Sequence, residues 1–222
     1  MAIQSGTTHV LVKVKSKFTQ NFEKMIAMAN LHVGTKVNPA DYVNIVGEIV
    51  AVPRSVAKRH DLKGFSPADM QVGDQAIFSY QVIYDLEELP SGQYKYHNQL
   101  NYKAMEVFRA DVSQIFAVIR GGEIIMVNGY VMLQDISKPS SLVLVTQKRM
   151  TPNAVSATVS AIGNPLTTSR PIEVAAGDTV YLDHRKIQHY QINDKKFGIV
   201  QQRHIYAVEQ PKKPFKYEYQ TV

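Results

Sequence analysis

Cysteine is absent from the 222 residues. That removes disulfides, thiolate nucleophiles, cysteine-held zinc and iron–sulfur clusters as possibilities, and it fits a reducing compartment. Long apolar runs are also missing: no stretch reaches the ~18 residues that mark a membrane-crossing helix, so no membrane partner is expected. The opening Met1-Ala2-Ile3-Gln4-Ser5-Gly6 has neither the basic nor the apolar block of a signal peptide, so export by that route is not expected. The motifs of common catalytic sites are lacking too. There is no Gly-x-Ser-x-Gly, no His-Glu-x-x-His, no P-loop and no Gly-x-Gly-x-x-Gly after a strand. His184 and His189 flank Lys186, whose charge opposes a cation, and His9, His32, His60, His97 and His204 are scattered. The expectation is a protein that is not an enzyme, with no cofactor, no metal and no small-molecule substrate.

The charge is modest. A net +6 is spread along the chain except for two clusters, Arg54/Lys58/Arg59/His60/Lys63 and Lys212/Lys213/Lys216. Neither accompanies a nucleic-acid motif, and the first reads as solvated loop. Nucleic acid is not the expected partner, because basic residues interleave with aromatics only near the C-terminus.

Most of the chain carries the strand signal, short runs rich in Val, Ile, Tyr and Phe broken by Gly, Pro, Asn and Asp. Val10, Val12 and Val14 alternate with His9, Leu11, Lys13 and Lys15, as a half-buried strand requires. Further runs cover 43–52, 75–84, 102–108, 115–120, 123–127, 130–133, 142–146, 155–162, 179–183 and 198–208. Asn128-Gly129 between two such runs predicts a hairpin with positive φ at both turn residues.

Four blocks recur in order. Val10–Val14 matches Val131–Asp135, and Gly47-Glu48-Ile49-Val50-Ala51-Val52-Pro53 matches Ala157-Thr158-Val159-Ser160-Ala161-Ile162-Gly163. Met70-Gln71-Val72-Gly73-Asp74-Gln75-Ala76-Ile77-Phe78 matches Val174-Ala175-Ala176-Gly177-Asp178-Thr179-Val180-Tyr181-Leu182. Ile115-Phe116-Ala117-Val118 matches Ile205-Tyr206-Ala207-Val208. Gly-Asp suits a tight turn, since Gly tolerates positive φ and Asp can bond the backbone. The small Ala among bulky neighbours in the last block is expected in the tapered interior of a small barrel.

This order of blocks resembles the GroES co-chaperonin family, whose members are small β-barrels. The resemblance spans residues 9 to 208, with Ala157 where the family pattern has Gly. It implies an all-β chain of two tandem GroES-like barrels, over 1–120 and 121–209, followed by an extended basic and aromatic tail at 210–222. Each barrel has a long insert after its first strand. In the family that insert is a Gly-rich loop whose aliphatic triplet docks on a chaperonin ring.

The first insert, 15–41, has Gly34 as its only glycine. Phe22, Met25, Ile26 and Ala29 follow helical spacing behind Thr19 as N-cap, which predicts one short helix. Met25, Ile26 and Met28 would present an adaptable partner surface or pack on the barrel. The second insert, 136–154, carries Ser140-Ser141-Leu142-Val143-Leu144, where serines replace the family's glycines. Leu142, Val143 and Leu144 are candidate docking residues or members of a plain strand. In the tail, Phe215, Tyr217 and Tyr219 would alternate on one side of an extended segment bearing Lys212 and Lys213, a set suited to strand addition or aromatic anchoring on a neighbour, or to folding back on its own barrel. The expected partners are therefore protein subunits of a large assembly, either a capsid-type shell or a chaperonin ring. The expected location is correspondingly a virion or the cytoplasm.

Overall fold

Strand alternation sets the frame of the fold. Val10, Val12 and Val14 are buried on one face with Ile49, Ala76, Phe78, Phe108, Ile115 and Val118. Val131 and Leu133 do the same with Val155, Ala157, Val159, Val180, Leu182 and Val200. Two buried cores result, one in each half of the chain. The computed structural model describes residues 8–19, 42–54, 69–102, 105–138, 153–164, 173–192 and 195–210.

The first half contains β1 (His9–Lys13), β2 (Val46–Ala51), β3 (Gln75–Phe78), β4 (Leu86–Glu88), β5 (Tyr94–Tyr96), β6 (Gln99–Tyr102), β7 (Met105–Asp111), β8 (Ile115–Arg120) and β9 (Glu123–Met126). The second contains β10 (Tyr130–Ser137), β11 (Ala154–Ile162), β12 (Thr179–Asp183), β13 (Gln188–Ile192), β14 (Lys195–Gln201) and β15 (Ile205–Glu209). Among the described residues the chain is all-β apart from a short helix, α1 (Gln81–Tyr84), and three 3-10 turns.

The two main sheets follow one path. The first runs β6-β7-β1-β2-β3-β8-β9 and the second β13-β14-β10-β11-β12-β15. Set side by side, strand for strand, they differ only by β9. Finer features coincide as well. The register breaks at Leu11/Val12 and again at Met132/Leu133, and at Ile77/Phe78 and again at Tyr181/Leu182. Gly73 and Gly177 hold φ of 97° and 93°. The Asp74 carboxylate accepts from the Gln71 N–H at 2.8 Å, and that of Asp178 accepts from the Ala175 N–H at 2.7 Å. A 3-10 turn precedes β8 and, at the equivalent place, β15, at Val112–Gln114 and Gln202–His204.

Several expected runs are divided. The run over 75–84 ends as a strand at Phe78, and α1 follows. Val82 and Ile83, both fully buried, belong to that helix. The run over 102–108 is a hairpin, with Tyr102 paired to Met105, and the run over 198–208 is cut by the 3-10 turn. The β4–β5 hairpin and β13 were not read as strands. Ala117 does not fill the barrel interior: Ile115 and Val118 face that core, while Ala117 lies on the outer face. Asn128 and Gly129 do have positive φ, 57° and 68°, but no hairpin forms. β9 pairs with β8, and β10 with β11 and β14, so the turn hands the chain from one sheet to the next.

That hand-over lies against an apolar seam. Ile77, Phe116 and Ala117 on the outer face of the first sheet pack with Met126, Tyr130, Tyr190, Phe197 and Ile199. The Phe116 ring meets Tyr130 edge-on at 4.7 Å and Tyr190 at 5.5 Å. Buried Asn128 fixes the turn from below, its Nδ2 donating to the carbonyls of Val112 at 2.7 Å and Ile115 at 2.9 Å. The Tyr130 hydroxyl donates to Ser113 O at 2.8 Å.

Candidate interaction surfaces

The roots of the two inserts lie at equivalent places in the two sheets, between β1 and β2 and between β10 and β11. The root of the first is closed by backbone pairing: Phe18 bridges Val43, the Thr19 N–H donates to Tyr42 O at 2.8 Å and the Asn44 N–H to Lys17 O at 3.0 Å. Phe18 also leans on Tyr96, with ring centroids 6.5 Å apart, and the Lys17 ammonium sits 4.2 Å from the Tyr96 ring centre, a cation–π contact. The second root is held by the Ser137–Ser156 pairing, whose hydroxyls are 3.1 Å apart.

Every residue singled out in the sequence for docking (Met25, Ile26, Met28, Leu142, Val143, Leu144, Lys212, Lys213, Phe215, Tyr217 and Tyr219) lies outside the described residues. So does the expected helix over 22–29. Thr19, its expected N-cap, is described, and its Oγ1 is buried without a hydrogen-bond partner, so it makes no capping bond.

Beside the first root is a cavity of about 460 Å³, lined by Thr19, Val43 and Ile45 from the first half and His189, Tyr190, Gln191 and Lys196 from the second. None of these side chains is a carboxylate or a cysteine. His184 and His189, set aside in the sequence for the lysine between them, come together with ring centroids 5.3 Å apart. Among the described residues no group of three His, Asp or Glu side chains could hold a metal ion.

The charged pairs are structural. Arg120 donates to both Asp74 oxygens, at 2.9 and 2.7 Å, and this contact holds the Asp74 carboxyl below its ordinary value against the opposing effect of burial. Arg185 grips Asp183 in the same way and holds it at about 2. The seam phenols shift the other way, since burial pushes both Tyr130 and Tyr190 upward. A group whose pKa is raised on folding stabilises the fold below its unfolded value and loses that contribution as pH rises. Seam stability is therefore expected to hold up to about pH 10, the ordinary tyrosine value, and to fall beyond it. Unfolding followed by tyrosine absorbance between neutral and strongly alkaline pH checks this, with Tyr190→Phe showing the smaller alkaline loss.

Sequence reasoning missed the seam and the cavity. Phe116-Ala117 was visible as a pair of adjacent apolar residues, which in a strand must serve two faces unless a bulge turns both outward, as the break at Ile77/Phe78 does here.

Comparison with known proteins adds one finding. No curated protein matches the chain. A family model described as the chaperonin 10 Kd subunit matches residues 123–209, the stretch that opens with β9 and closes with β15. Over that stretch the chain carries a GroES-like domain.

Proposed function

We propose that this protein is a non-enzymatic assembly component, a double GroES-like barrel that docks on the repeated subunits of a larger symmetric, capsid-type shell. The matching strand order of the two sheets carries this reading. It supports treating residues up to about 120 as a second copy of the barrel matched at 123–209, although β9 of the matched stretch is lent to the first sheet. Two barrels joined through a buried aromatic seam form a stiff body, and a stiff body presents its two insert roots at fixed separation. Two weak contacts to a repeating lattice then reinforce each other through effective concentration. The inserts suit this role because serines and a helical pattern stand where a searching loop would be rich in glycine.

A second reading is a tandem co-chaperonin lid on a chaperonin ring. The family match at 123–209 and the triplet Leu142-Val143-Leu144 favour it. The two readings separate in one experiment. Purified protein is mixed with preformed shells lacking it and, separately, with a chaperonin ring and ATP. The shell reading expects saturable binding to shells, lost when Met25, Ile26, Met28 and Leu142–Leu144 are all changed to Ser, with chaperonin ATPase unaltered. Suppressed ATPase without shell binding would reverse the order of the two.

A further inference from the structure

The pairing of β12 with β15 brings two short turns side by side. Leu182 is opposite Ile205, so the 3-10 turn His184–Lys186, which follows β12, lies next to the turn Gln202–His204, which leads into β15. Positive charge gathers there. His184, Arg185, Lys186 and Arg203 are exposed, and His204 is partly buried. Burial lowers the His204 pKa, and the charges of Arg203 and Lys186 lower it further, as expected where the two turns share one surface. Asp183 is 2% exposed and already held by Arg185. Among the described residues neither Lys186 nor Arg203 enters an ion pair. Tyr206 adjoins this cluster. The register break at Tyr181/Leu182 leaves it without a partner on β12, and its side chain is exposed, the way a bulge re-aims a residue. Arg185 feels the Asp183 carboxylate most strongly and the Tyr206 phenol as well.

The first half shows that the fold itself does not need this charge. There Phe78 is opposite Ile115, and the matching positions are Ser79, Tyr80 and Gln81 after β3 and Val112, Ser113 and Gln114 before β8. None of them is charged. We infer that the patch of His184, Arg185, Lys186, Arg203, His204 and Tyr206 is a docking surface for an acidic segment of a protein partner. It lies outside both inserts, so it adds to the shell reading without resting on it. Carboxylates fit the patch better than a nucleic-acid strand does. Single strands are held by successive stacking aromatics along a basic groove, whereas this surface has one exposed aromatic and two cations free of carboxylates. Arginine and tyrosine together are the composition of protein interfaces, and an exposed guanidinium can fork onto a carboxylate.

The test titrates fluorescein-labelled poly-glutamate into the full chain, into Lys186→Glu/Arg203→Glu, and into the control Lys15→Glu/Lys95→Glu. The control makes the same change in net charge at exposed positions of the first half. The inference expects saturable binding that weakens with added salt. Affinity should fall on the order of tenfold in Lys186→Glu/Arg203→Glu and stay within about twofold in the control. On the unaltered chain, carbodiimide coupling of the bound poly-glutamate should join a glutamate carboxylate to the Lys186 amine, located by mass spectrometry, so the site is read without any variant. Absence of saturable binding would overturn the inference. Equal losses in the two variants, or coupling spread over lysines elsewhere, would overturn it by leaving only the overall charge of the chain. Tighter binding of oligo-uridylate than of poly-glutamate, lost in Lys186→Glu/Arg203→Glu, would overturn it by assigning the patch to nucleic acid.

Discussion

Replacing Phe116 with alanine is expected to destabilise the protein by about 3–5 kcal/mol, the usual cost of deleting a fully buried aromatic. The side chain is 1% exposed, and its ring is fixed between Tyr130 and Tyr190. Ile77 and Met126 of the first sheet and Ile199 of the second share its cluster, so closing the void requires the two sheets to slide past each other. Since a protein of this kind has about 5–15 kcal/mol to lose, the variant should unfold at clearly lower denaturant concentration. Tyr206→Ala is the matched control. It removes an aromatic from the same place on β15, but the side chain is 53% exposed, and a cost under about 1 kcal/mol is expected. A similar cost for both would mean that the seam is not a packed core.

Asn128→Ala should be nearly as severe, at about 2–5 kcal/mol, and for a different reason. The residue is 5% exposed and donates to two backbone carbonyls of the first half. Losing the donor leaves the buried Ile115 carbonyl short of a partner, at about 1–3 kcal/mol, while the Val112 carbonyl keeps the Ile115 N–H. Alanine must also adopt a φ of 57°, a left-handed conformation that costs a residue with a Cβ roughly 1–2 kcal/mol. Asn128→Gly separates the two effects. Glycine accepts the conformation but not the hydrogen bonds, so it should recover only the backbone part, as measured by urea unfolding of the three proteins. Full recovery would mean that the side-chain bonds contribute little.

How much of this was legible in the sequence follows from the kind of signal each feature leaves. The Gly-Asp turns were legible because their chemistry is local: a left-handed glycine and an aspartate bonding the backbone three residues before it mark the same turn at Asp74 and at Asp178. The order of the strands came through for the same reason, since alternation tells which residues share a face. Alternation does not tell what that face meets. Leu11 looked solvent-facing beside Val10 and Val12, yet it is 7% exposed in a small cluster with Ala51 and Val107. The seam has the same origin: Tyr130, Met132 and Ile199 occupy the outward positions of ordinary strands, and only the tertiary arrangement makes them interior. Element limits failed where a short-range exception interrupts a β-rich run, as at the buried pair Val82-Ile83 and the 3-10 turn Gln202–His204. The docking residues proposed in the inserts and the tail fall outside the described residues, and their roles rest on the binding experiments above.

At the centre stands one claim, that two similar barrels are joined through the Phe116–Tyr130–Tyr190 seam into a single stiff unit. Scanning calorimetry on the full chain addresses it most directly. One heat-absorption peak, with calorimetric and van't Hoff enthalpies in a ratio of about one, is the outcome this account requires. Two resolved peaks, each sized for half the chain, would contradict it.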